Sequence, residues 1–515
     1  MAFLKRHPAM IAAVLIILFS FFVHARLPNI ADADSFYHLK HAWLYKTEGI
    51  SQSAFPWTQY SSVNKYSADL WYGFHILLIP LTYLADQVQA IKIGEFLVTI
   101  IALLMVYWAF RKLKLEWPLF WLALFALATA DLLYRIMMLR PHPLSLGLTI
   151  LLFAFLQERP SKVRGLFPLF VIAILFSWIH ISLSWLPILL VLALGFFNFL
   201  QNRYLGWRGA VAVFSGLILG WLARPNPFGA AKLAYIQVVK LLLEKSSAPL
   251  RFGRELMPFY WENFVDQLIP MIILLLTAIA YLAFLKFKTK PAAWSSLAMA
   301  AIFFGLTFAV ARRSNEIFIA FAVIFIGLLA TEYFGQPKNY RPFAGSWQVN
   351  LLAALIFLTL VYMPFKTIYR FDTYAANAFD PTLFWEASVW LKQNSQPGEI
   401  VFNIHWDRFG QLFFWNHQNY YINGMDPIFE YDFNPSLYWK THFYAIDAAS
   451  AFTCGKIRCE AGETEETHRV LKQDFRASYI VVEKLRSPKL YKYLLTASGF
   501  KSVFETPAEI VFKIL

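Results

Sequence analysis

The feature that most constrains this chain is a long apolar stretch that recurs along the first 365 residues. A helix needs about 20 apolar residues to cross the roughly 30 Å hydrocarbon core of a bilayer. Hydrophobic residues make up 58% of the 515 residues and charged residues only 15%, which is typical of a membrane protein with many spans. The sequence therefore predicts about eleven transmembrane helices. They are expected near 8–25, 92–110, 117–132, 144–157, 166–181, 183–200, 207–223, 267–285, 293–310, 315–331 and 349–365.

The distribution of lysine and arginine predicts how the spans are oriented. Loops that stay in the cytoplasm collect these residues, and the formal net charge is +14. If the apolar stretch 70–84 is an outer-surface or re-entrant helix rather than a span, all the basic loops lie on one side with the amino terminus. These loops are 4–8, 111–114, 158–165, 201–208, 286–290 and 337–342. We expect a multi-pass protein of the inner (plasma) membrane with a cytoplasmic amino terminus.

The last third of the chain has a different character. Residues 371–515 are less apolar and alternate between helical and strand patterns. The predicted fold is a polytopic α-helical membrane domain, 1–370, with outer loops at 26–91 and 224–266, followed by an extracytoplasmic (periplasmic) α/β domain, 371–515. Cys454 and Cys459 are expected to form a disulfide on that side, with free thiols as the alternative. No basic stripe is present, so nucleic acid is not an expected partner.

Carboxylates and arginines lie on the predicted outer face. Asp32 and Asp34 follow the first span, where they can bind a divalent cation, orient an acceptor or cap a helix. Arg140, Arg312 and Arg313 lie in outer turns. They can clamp a phosphate through paired hydrogen bonds or reach toward lipid head groups, and both interpretations stay open.

Three short segments resemble a known family. "DSFYHLK" begins at Asp34, "ELMPFYWENF" places a glutamate, proline, tryptophan and phenylalanine at three-residue steps from Glu255, and "HWDRFG" begins at His405. In this order they resemble motifs of the catalytic subunit of oligosaccharyltransferase, including the single-subunit archaeal and bacterial enzymes, in the GT-C superfamily of membrane glycosyltransferases. The third motif departs from the family pattern at His405 and by one inserted residue, and His142 and its neighbours stand where the family has acidic residues.

The resemblance implies an inverting transferase that moves a sugar or oligosaccharide from a polyprenyl-phosphate or polyprenyl-diphosphate donor to a protein on the outer face. A lipid or cell-surface glycan acceptor is the alternative, which the two departures favour. A transporter or flippase of polyprenyl-linked sugars is a further alternative, but it needs charges near mid-span. The implied cofactor is Mg²⁺ or Mn²⁺.

The resemblance also implies roles for named residues. The catalytic residues are Asp34, Glu255 and Asp32; the donor-phosphate residues are Arg312, Arg313 and Arg140; the acceptor-binding residues are Trp406, Asp407 and Trp261; and the metal ligands are Asp34, Glu255 and His142.

Overall fold

The computed structural model describes residues 8–158, 162–247, 250–285, 289–335, 347–460 and 462–515. The chain divides into two compact units. The first unit contains Met1–Ala31, Ile93–Leu222 and Arg254–Ala378, and the second contains Asp32–Lys92, Ala223–Gly253 and Phe379–Leu515. This division differs from the predicted boundary at 370, because most of both outer loops belongs to the second unit together with the carboxyl-terminal third of the chain.

The first unit is helical. Its helices are Pro8–Ala25, Gln87–Lys112 (which begins in the second unit), Pro118–Ala126, Ala130–Ile136, Pro141–Leu156, Val163–Ile179, Ile181–Leu183, Trp185–Asn202, Trp207–Leu222, Arg254–Leu256, Trp261–Gln267, Ile269–Leu285, Pro291–Ala309, Ser314–Phe334 and Trp347–Ala376. Many of their large apolar side chains are exposed, including Phe21, Leu192 and Phe357. Such faces suit contact with lipid rather than water.

Six helices of the described residues are long and apolar enough to cross a membrane, or up to eight if each bent pair counts as one span. The six are Pro8–Ala25, Gln87–Lys112, Ile181–Asn202, Pro291–Ala309, Ser314–Phe334 and Ala353–Ala376. The predicted spans near 144–157, 166–181 and 207–223 coincide with apolar helices of 17 residues or fewer. A multi-span membrane protein is therefore supported, and the count of eleven stays a prediction.

One predicted span is bent within its length, and a second bend lies at the start of another. The chain turns by 100° between Pro118–Ala126 and Ala130–Ile136, and by 70° between Trp261–Gln267 and the helix that follows. At the first bend the Leu132 N–H donates to Thr129 Oγ1 at 3.1 Å, so the threonine caps a new helix start. The bend places Asp131 in the first turn and Arg135 in the last turn of a separate short helix.

Close helix packing in the first unit depends on small residues. Gly216 and Gly220 lie one turn apart on Trp207–Leu222 and face Val163–Ile179. A Cβ atom at Gly220 would lie 2.8 Å from the Ile174 carbonyl oxygen. Because no side chain lies between them at these positions, the backbones of the two membrane helices can come into contact.

The stretch 70–84 forms the helix Tyr72–Leu78 and the 3₁₀ turn Ile79–Tyr83. Twelve helical residues span about 18 Å, which is too short to cross a bilayer, so the prediction of a surface or re-entrant helix agrees with its length. Of the basic loops, 4–8, 158–165, 286–290 and 337–342 lie wholly or partly outside the described residues.

The second unit combines helices with a sheet. Its helices are Asp34–Glu48, Ser62–Tyr66, Tyr72–Leu78, Ile79–Tyr83, Pro227–Tyr235, Ile236–Lys240, Leu241–Ser247, Trp385–Asn394, Trp406–Arg408, Phe409–Trp415, Pro427–Phe433, Pro435–Ala445, Thr467–Arg469, Val470–Asp474 and Pro488–Thr496. Its strands are β1 (Ile400–Asn403), β2 (Tyr420–Tyr421), β3 (Phe452–Thr453), β4 (Glu465–Glu466), β5 (Ala477–Glu483), β6 (Phe500–Glu505) and β7 (Glu509–Ile514).

Five of these strands form one mixed sheet in the order β2-β1-β5-β7-β6. The pairs β1–β2 and β1–β5 are parallel, and β5–β7 and β6–β7 are antiparallel. Strands β6 and β7 form an antiparallel hairpin. Phe402, Ile480 and Phe512 are fully buried in the core beside the sheet. Cys454 and Cys459 form a disulfide.

One buried carboxyl group of this unit predicts a pH-dependent stability. Glu430 accepts hydrogen bonds from Thr441 Oγ1 at 2.6 Å and from Asn423 Nδ2. Burial raises the pKa of Glu430 to about 8, although both hydrogen bonds act in the opposite direction. The folded state therefore keeps a proton that the unfolded state loses near pH 4.5.

The stabilising effect of this proton is complete below pH 4.5 and is lost as the pH rises through 8. We expect unfolding of the second unit to become easier across this window by up to about 3–5 kcal/mol. Thermal unfolding of the purified chain at a series of pH values measures the slope. Glu430→Gln, which resembles the protonated form, is expected to flatten it, and an unchanged slope in this variant contradicts the assignment.

Candidate functional site

The first unit contains a cluster of four arginines and three carboxylates, called here the arginine cluster. Its members are Arg135, Arg140, Arg312, Arg313, Asp131, Glu255 and Glu316. They come from the short helix Ala130–Ile136, the residue before Pro141–Leu156, the 3₁₀ turn Arg254–Leu256, and the turn into Ser314–Phe334 with the first turn of that helix. Charges at such positions are costly unless they are paired, so the cluster is a candidate site.

Glu255 lies at the centre of the arginine cluster. Arg135 Nη1 donates to Glu255 Oε2 at 2.6 Å, and Arg140 Nη1 lies 3.1 Å from Oε1 and 3.3 Å from Oε2. Arg135 also pairs with Glu316. Burial raises the pKa of Glu255, but the charges of three neighbouring arginines, Arg140 most strongly, outweigh burial and hold this pKa well below its ordinary value. Glu255 is therefore an ionised acceptor for guanidinium groups.

Arg312 and Arg313 are held by backbone bonds to the segment that carries Glu255. The Arg312 N–H donates to the Met257 carbonyl at 2.8 Å, and the Arg313 N–H donates to the Glu255 carbonyl at 3.1 Å. The two side chains differ, however. Arg312 makes a two-point contact with Asp131, at 3.0 and 3.3 Å, and donates to Tyr374 Oη at 3.0 Å.

The Arg313 side chain differs from that of Arg312. Within the described ranges its side chain forms no salt bridge, although its charge acts on Glu255 and on His180. With all groups ionised, the arginines of the cluster carry one positive charge more than its carboxylates neutralise. An anion at Arg313 would balance this excess.

Two histidines lie close to the arginine cluster. His180 Nδ1 lies 3.0 Å from Ser145 Oγ, and burial together with Arg313 and Arg140 lowers the pKa of His180 to about 3. His142 Nε2 is buried without a hydrogen-bond partner among the described residues. Because a buried polar atom without a partner is costly, His142 is suited to a ligand that reaches it.

In the second unit, Asp32 and Asp34 begin the helix Asp34–Glu48. The Asp34 N–H donates to Asp32 Oδ2 at 3.0 Å, so Asp32 satisfies one of the free N–H groups at a helix start. Asp32 is buried and Asp34 is half-buried. The N-cap residue is Ala33, so Asp32 supports the helix start from one position before the cap.

The "HWDRFG" segment packs against this helix start within the second unit. A Cβ atom at Gly410 would lie 2.7 Å from the Ala33 carbonyl oxygen, so only glycine fits the observed distance. Phe409 and Tyr37 contact each other with ring centroids 6.3 Å apart. Two of the segments that resemble family motifs are therefore neighbours in the fold.

The predicted acceptor-binding residues fall in both units. Trp406 is half-buried, and Asp407 pairs with Arg486 at 3.0 Å while its Oδ1 has no hydrogen-bond partner in the described part of the chain. Trp261 belongs to the first unit and is 72% exposed. Asp34, Trp406 and Asp407 thus share the second unit, whereas Glu255, Arg140, Arg312, Arg313 and His142 share the first.

The second unit also brings together three residues that could hold a divalent metal ion, His41, Asp69 and His75. All three are buried, and their potential ligand atoms lie within 4.8 Å of one another. Sequence reasoning missed this group, as it missed Asp131 and Glu316, and it gave Arg135 no role. The sequence offered one signal for Asp131 and Glu316, because each is a carboxylate inside or beside an apolar stretch.

Comparison with solved structures identifies the fold. The oligosaccharyltransferase of Archaeoglobus fulgidus, determined with a tethered acceptor peptide containing an NVT sequon, aligns with 100% of this chain and 75% of its own at a TM-score of 0.64 and 12% identity. The chain has the GT-C fold. No protein-family model matches the sequence, and no curated protein matches it either.

Two other GT-C structures align with 99% of the chain. The arabinofuranosyltransferase AftD from Mycobacteria gives a TM-score of 0.61 at 12% identity over 40% of its own length. ArnT from Cupriavidus metallidurans gives 0.54 at 12% identity over 98% of its own length. At these identities the GT-C likeness establishes the fold, and the activity requires separate arguments.

Proposed function

We propose that this GT-C protein is a membrane glycosyltransferase that takes a sugar or oligosaccharide from a polyprenyl-phosphate or polyprenyl-diphosphate donor and transfers it to an acceptor outside the cytoplasm. The observation that carries the proposal is the arginine cluster with its unbalanced Arg313. One structure of the archaeal oligosaccharyltransferase holds a dolichol-phosphate, which is the class of ligand that such a cluster can bind.

The donor-phosphate role belongs to Arg313, with Arg140 and Arg135 beside it. Arg312 is engaged by Asp131 and Tyr374 and acts as a positioning residue. As the sugar leaves, negative charge grows on the phosphate, and a fixed guanidinium stabilises that charge without reorganisation. Displacement from the opposite side inverts the anomeric centre, which agrees with the inverting reaction that the resemblance implies.

The acceptor role belongs to Asp34, with Trp406 and Asp407 in the same unit. If the acceptor is a hydroxyl, the Asp34 carboxylate takes its proton. If it is the amide of an Asn-x-Ser/Thr peptide, the carboxylate orients the amide instead. The proposal of a protein acceptor rests on the archaeal relative, whose structure was determined with an acceptor peptide that contains a sequon.

A glycan or lipid acceptor is the second candidate. The "HWDRFG" segment favours it through His405, which bonds Ser487 at 3.2 Å within the unit. The orientation, with the amino terminus in the cytoplasm of the inner (plasma) membrane, is part of the proposal.

The predicted Mg²⁺ or Mn²⁺ at Asp34, Glu255 and His142 fits these residues only in part. His142 offers a nitrogen without a partner in the described structure, but both carboxylate oxygens of Glu255 bond to guanidinium groups. A divalent cation there would lie beside two like charges. We therefore derive no step through a cation at this position.

The test is transfer by the purified chain from polyprenyl-phosphate and polyprenyl-diphosphate sugars to an Asn-x-Ser/Thr peptide, and separately to lipid and glycan acceptors. Transfer to peptide supports the first acceptor, and transfer only to lipid or glycan supports the second. Absence of transfer from every donor contradicts the proposal.

We expect Arg313→Gln to lower the transfer rate about 100-fold or more, because the lost guanidinium acts on charge that develops in the transition state. Arg313→Lys keeps the charge but loses the two-point geometry and is expected to recover part of the rate. Initial rates at saturating donor measure both. The matched control is Arg111→Gln on the exposed end of Gln87–Lys112. If Arg111→Gln lowers the transfer rate as much as Arg313→Gln does, Arg313 has no specific role in the site.

A further inference from the structure

The most informative group outside the proposed transfer chemistry is His41, Asp69 and His75 in the second unit. His41 lies on Asp34–Glu48, Asp69 lies in the segment between two short helices, and His75 lies on Tyr72–Leu78. The side chains are 8%, 5% and 0% exposed. Three ligand-bearing side chains meet here in an otherwise aromatic core.

The distances suit a small divalent ion. His75 Nδ1 lies 2.7 Å from Asp69 Oδ2, and His41 Nε2 lies 3.8 Å from the same oxygen. Ligand atoms about 2.0–2.1 Å from a tetrahedral Zn²⁺ lie roughly 3.3 Å from one another. The two observed distances fall on either side of this value. The His41 and His75 rings are stacked, so the rings must also turn until both nitrogens aim at the ion.

The far nitrogen of each histidine already has a fixed partner. His75 Nε2 lies 2.8 Å from His38 Nδ1, and His41 Nδ1 lies 3.0 Å from Tyr37 Oη. Asp69 Oδ1 accepts the Trp71 N–H at 2.8 Å. Metal-binding histidines typically have such outer partners, which fix the tautomer and aim the other nitrogen at the metal.

The rings pack closely against one another. His41 stacks between Phe55, with centroids 5.3 Å apart, and His75, with centroids 4.2 Å apart. Tyr45 Oη donates to Asp69 Oδ2 at 2.8 Å, which places a further oxygen beside the three ligands. Arg224 bonds the Asp69 backbone carbonyl at 2.9 Å. Because Arg224 bonds the backbone carbonyl, it does not occupy the Asp69 carboxylate.

We propose that His41, Asp69 and His75 bind a structural Zn²⁺ ion, with the Tyr45 hydroxyl as the fourth ligand. Two imidazole nitrogens favour Zn²⁺ over Mg²⁺ or Mn²⁺, which prefer oxygen ligands. The ion would tie the helix Asp34–Glu48 to the segment 69–75. The site is distinct from the cation predicted at Asp34, Glu255 and His142 and does not depend on the proposed transfer reaction.

The experiment uses the full chain, purified in detergent and stripped of metal with a chelator, and titrates it with zinc chloride by calorimetry. We expect one Zn²⁺ per chain and a rise of several degrees in the unfolding temperature, because a ligand of the folded state stabilises it. His75→Gln, Asp69→Asn and His41→Phe, the last of which keeps the ring stack, are each expected to weaken Zn²⁺ binding about 100-fold or more. His468→Gln, a half-buried histidine in the same unit outside this group, is the control.

A second measurement does not require any variant to fold. It is the absorption spectrum of the wild-type chain loaded with Co²⁺. Visible bands of a tetrahedral site with nitrogen ligands support the proposal. An unaltered wild-type chain that takes up no Zn²⁺ overturns it, as does Zn²⁺ binding that is equally tight in the three ligand variants and in His468→Gln. Transfer activity is measured separately, so a failed transfer assay does not count for or against the metal site.

Discussion

Asp34→Asn is expected to lower the transfer rate about 100- to 10,000-fold, the range that a positioned general base or orienting carboxylate contributes. The substitution keeps the size of the side chain and removes its charge. Asp34 is the first residue of its helix and is half-buried, so its carboxylate remains accessible to a substrate. Initial rates with the best acceptor found for the wild type measure the effect.

Asp32→Asn provides the matched control for this prediction. Asp32 accepts the Asp34 N–H at 3.0 Å, and an asparagine oxygen can accept the same hydrogen bond. We therefore expect Asp32→Asn to keep most of the activity. If the two variants lose activity equally, negative charge at the helix start, rather than Asp34 itself, is the requirement. If Asp34→Asn remains fully active, the proposed acceptor role is wrong.

The membrane-crossing part of the fold could be predicted because it depends on a local property, the length of an apolar stretch. Pro8–Ala25, Pro291–Ala309 and Ser314–Phe334 lie within a few residues of their predicted spans. The 100° break before Ala130 could not be predicted in the same way, since the stretch 117–132 is apolar except for Thr129 and Asp131. The bend depends on a single capping threonine.

The composition of the candidate sites was only partly predictable. Asp34, Glu255, Arg140, Arg312 and Arg313 could be selected because polar groups at the membrane edge are conspicuous in an apolar sequence. Their partners could not, because the pairs Arg135–Glu255 and Arg312–Asp131 join segments that are far apart in the chain. The same holds for His41 and Asp69, whose shared environment depends on how the short helices of the first outer loop pack.

Removing the Glu255 carboxylate is the second large effect that we expect. Glu255 bonds Arg135 and Arg140, and its loss leaves two partly buried guanidinium groups with too few acceptors. Breaking a buried ion pair by removing one partner typically costs about 3–5 kcal/mol of unfolding free energy. Because the Glu255 side chain is 27% exposed, we expect Glu255→Ala to fall at the lower end of this range.

The pH dependence of this loss separates ion pairing from simple packing. The pKa of Glu255 lies well below 4.5 in the folded state, so its contribution is present above pH 4.5 and is lost as the pH falls through the folded-state pKa. Thermal unfolding in detergent is therefore expected to show a difference between wild type and Glu255→Ala that narrows in acid. Glu262→Ala, an exposed glutamate in the same segment, is expected to change stability by less than about 0.5 kcal/mol. A deficit in Glu255→Ala that is constant down to strongly acidic pH means that the side chain acts by packing, and that Arg135 and Arg140 do not depend on its charge.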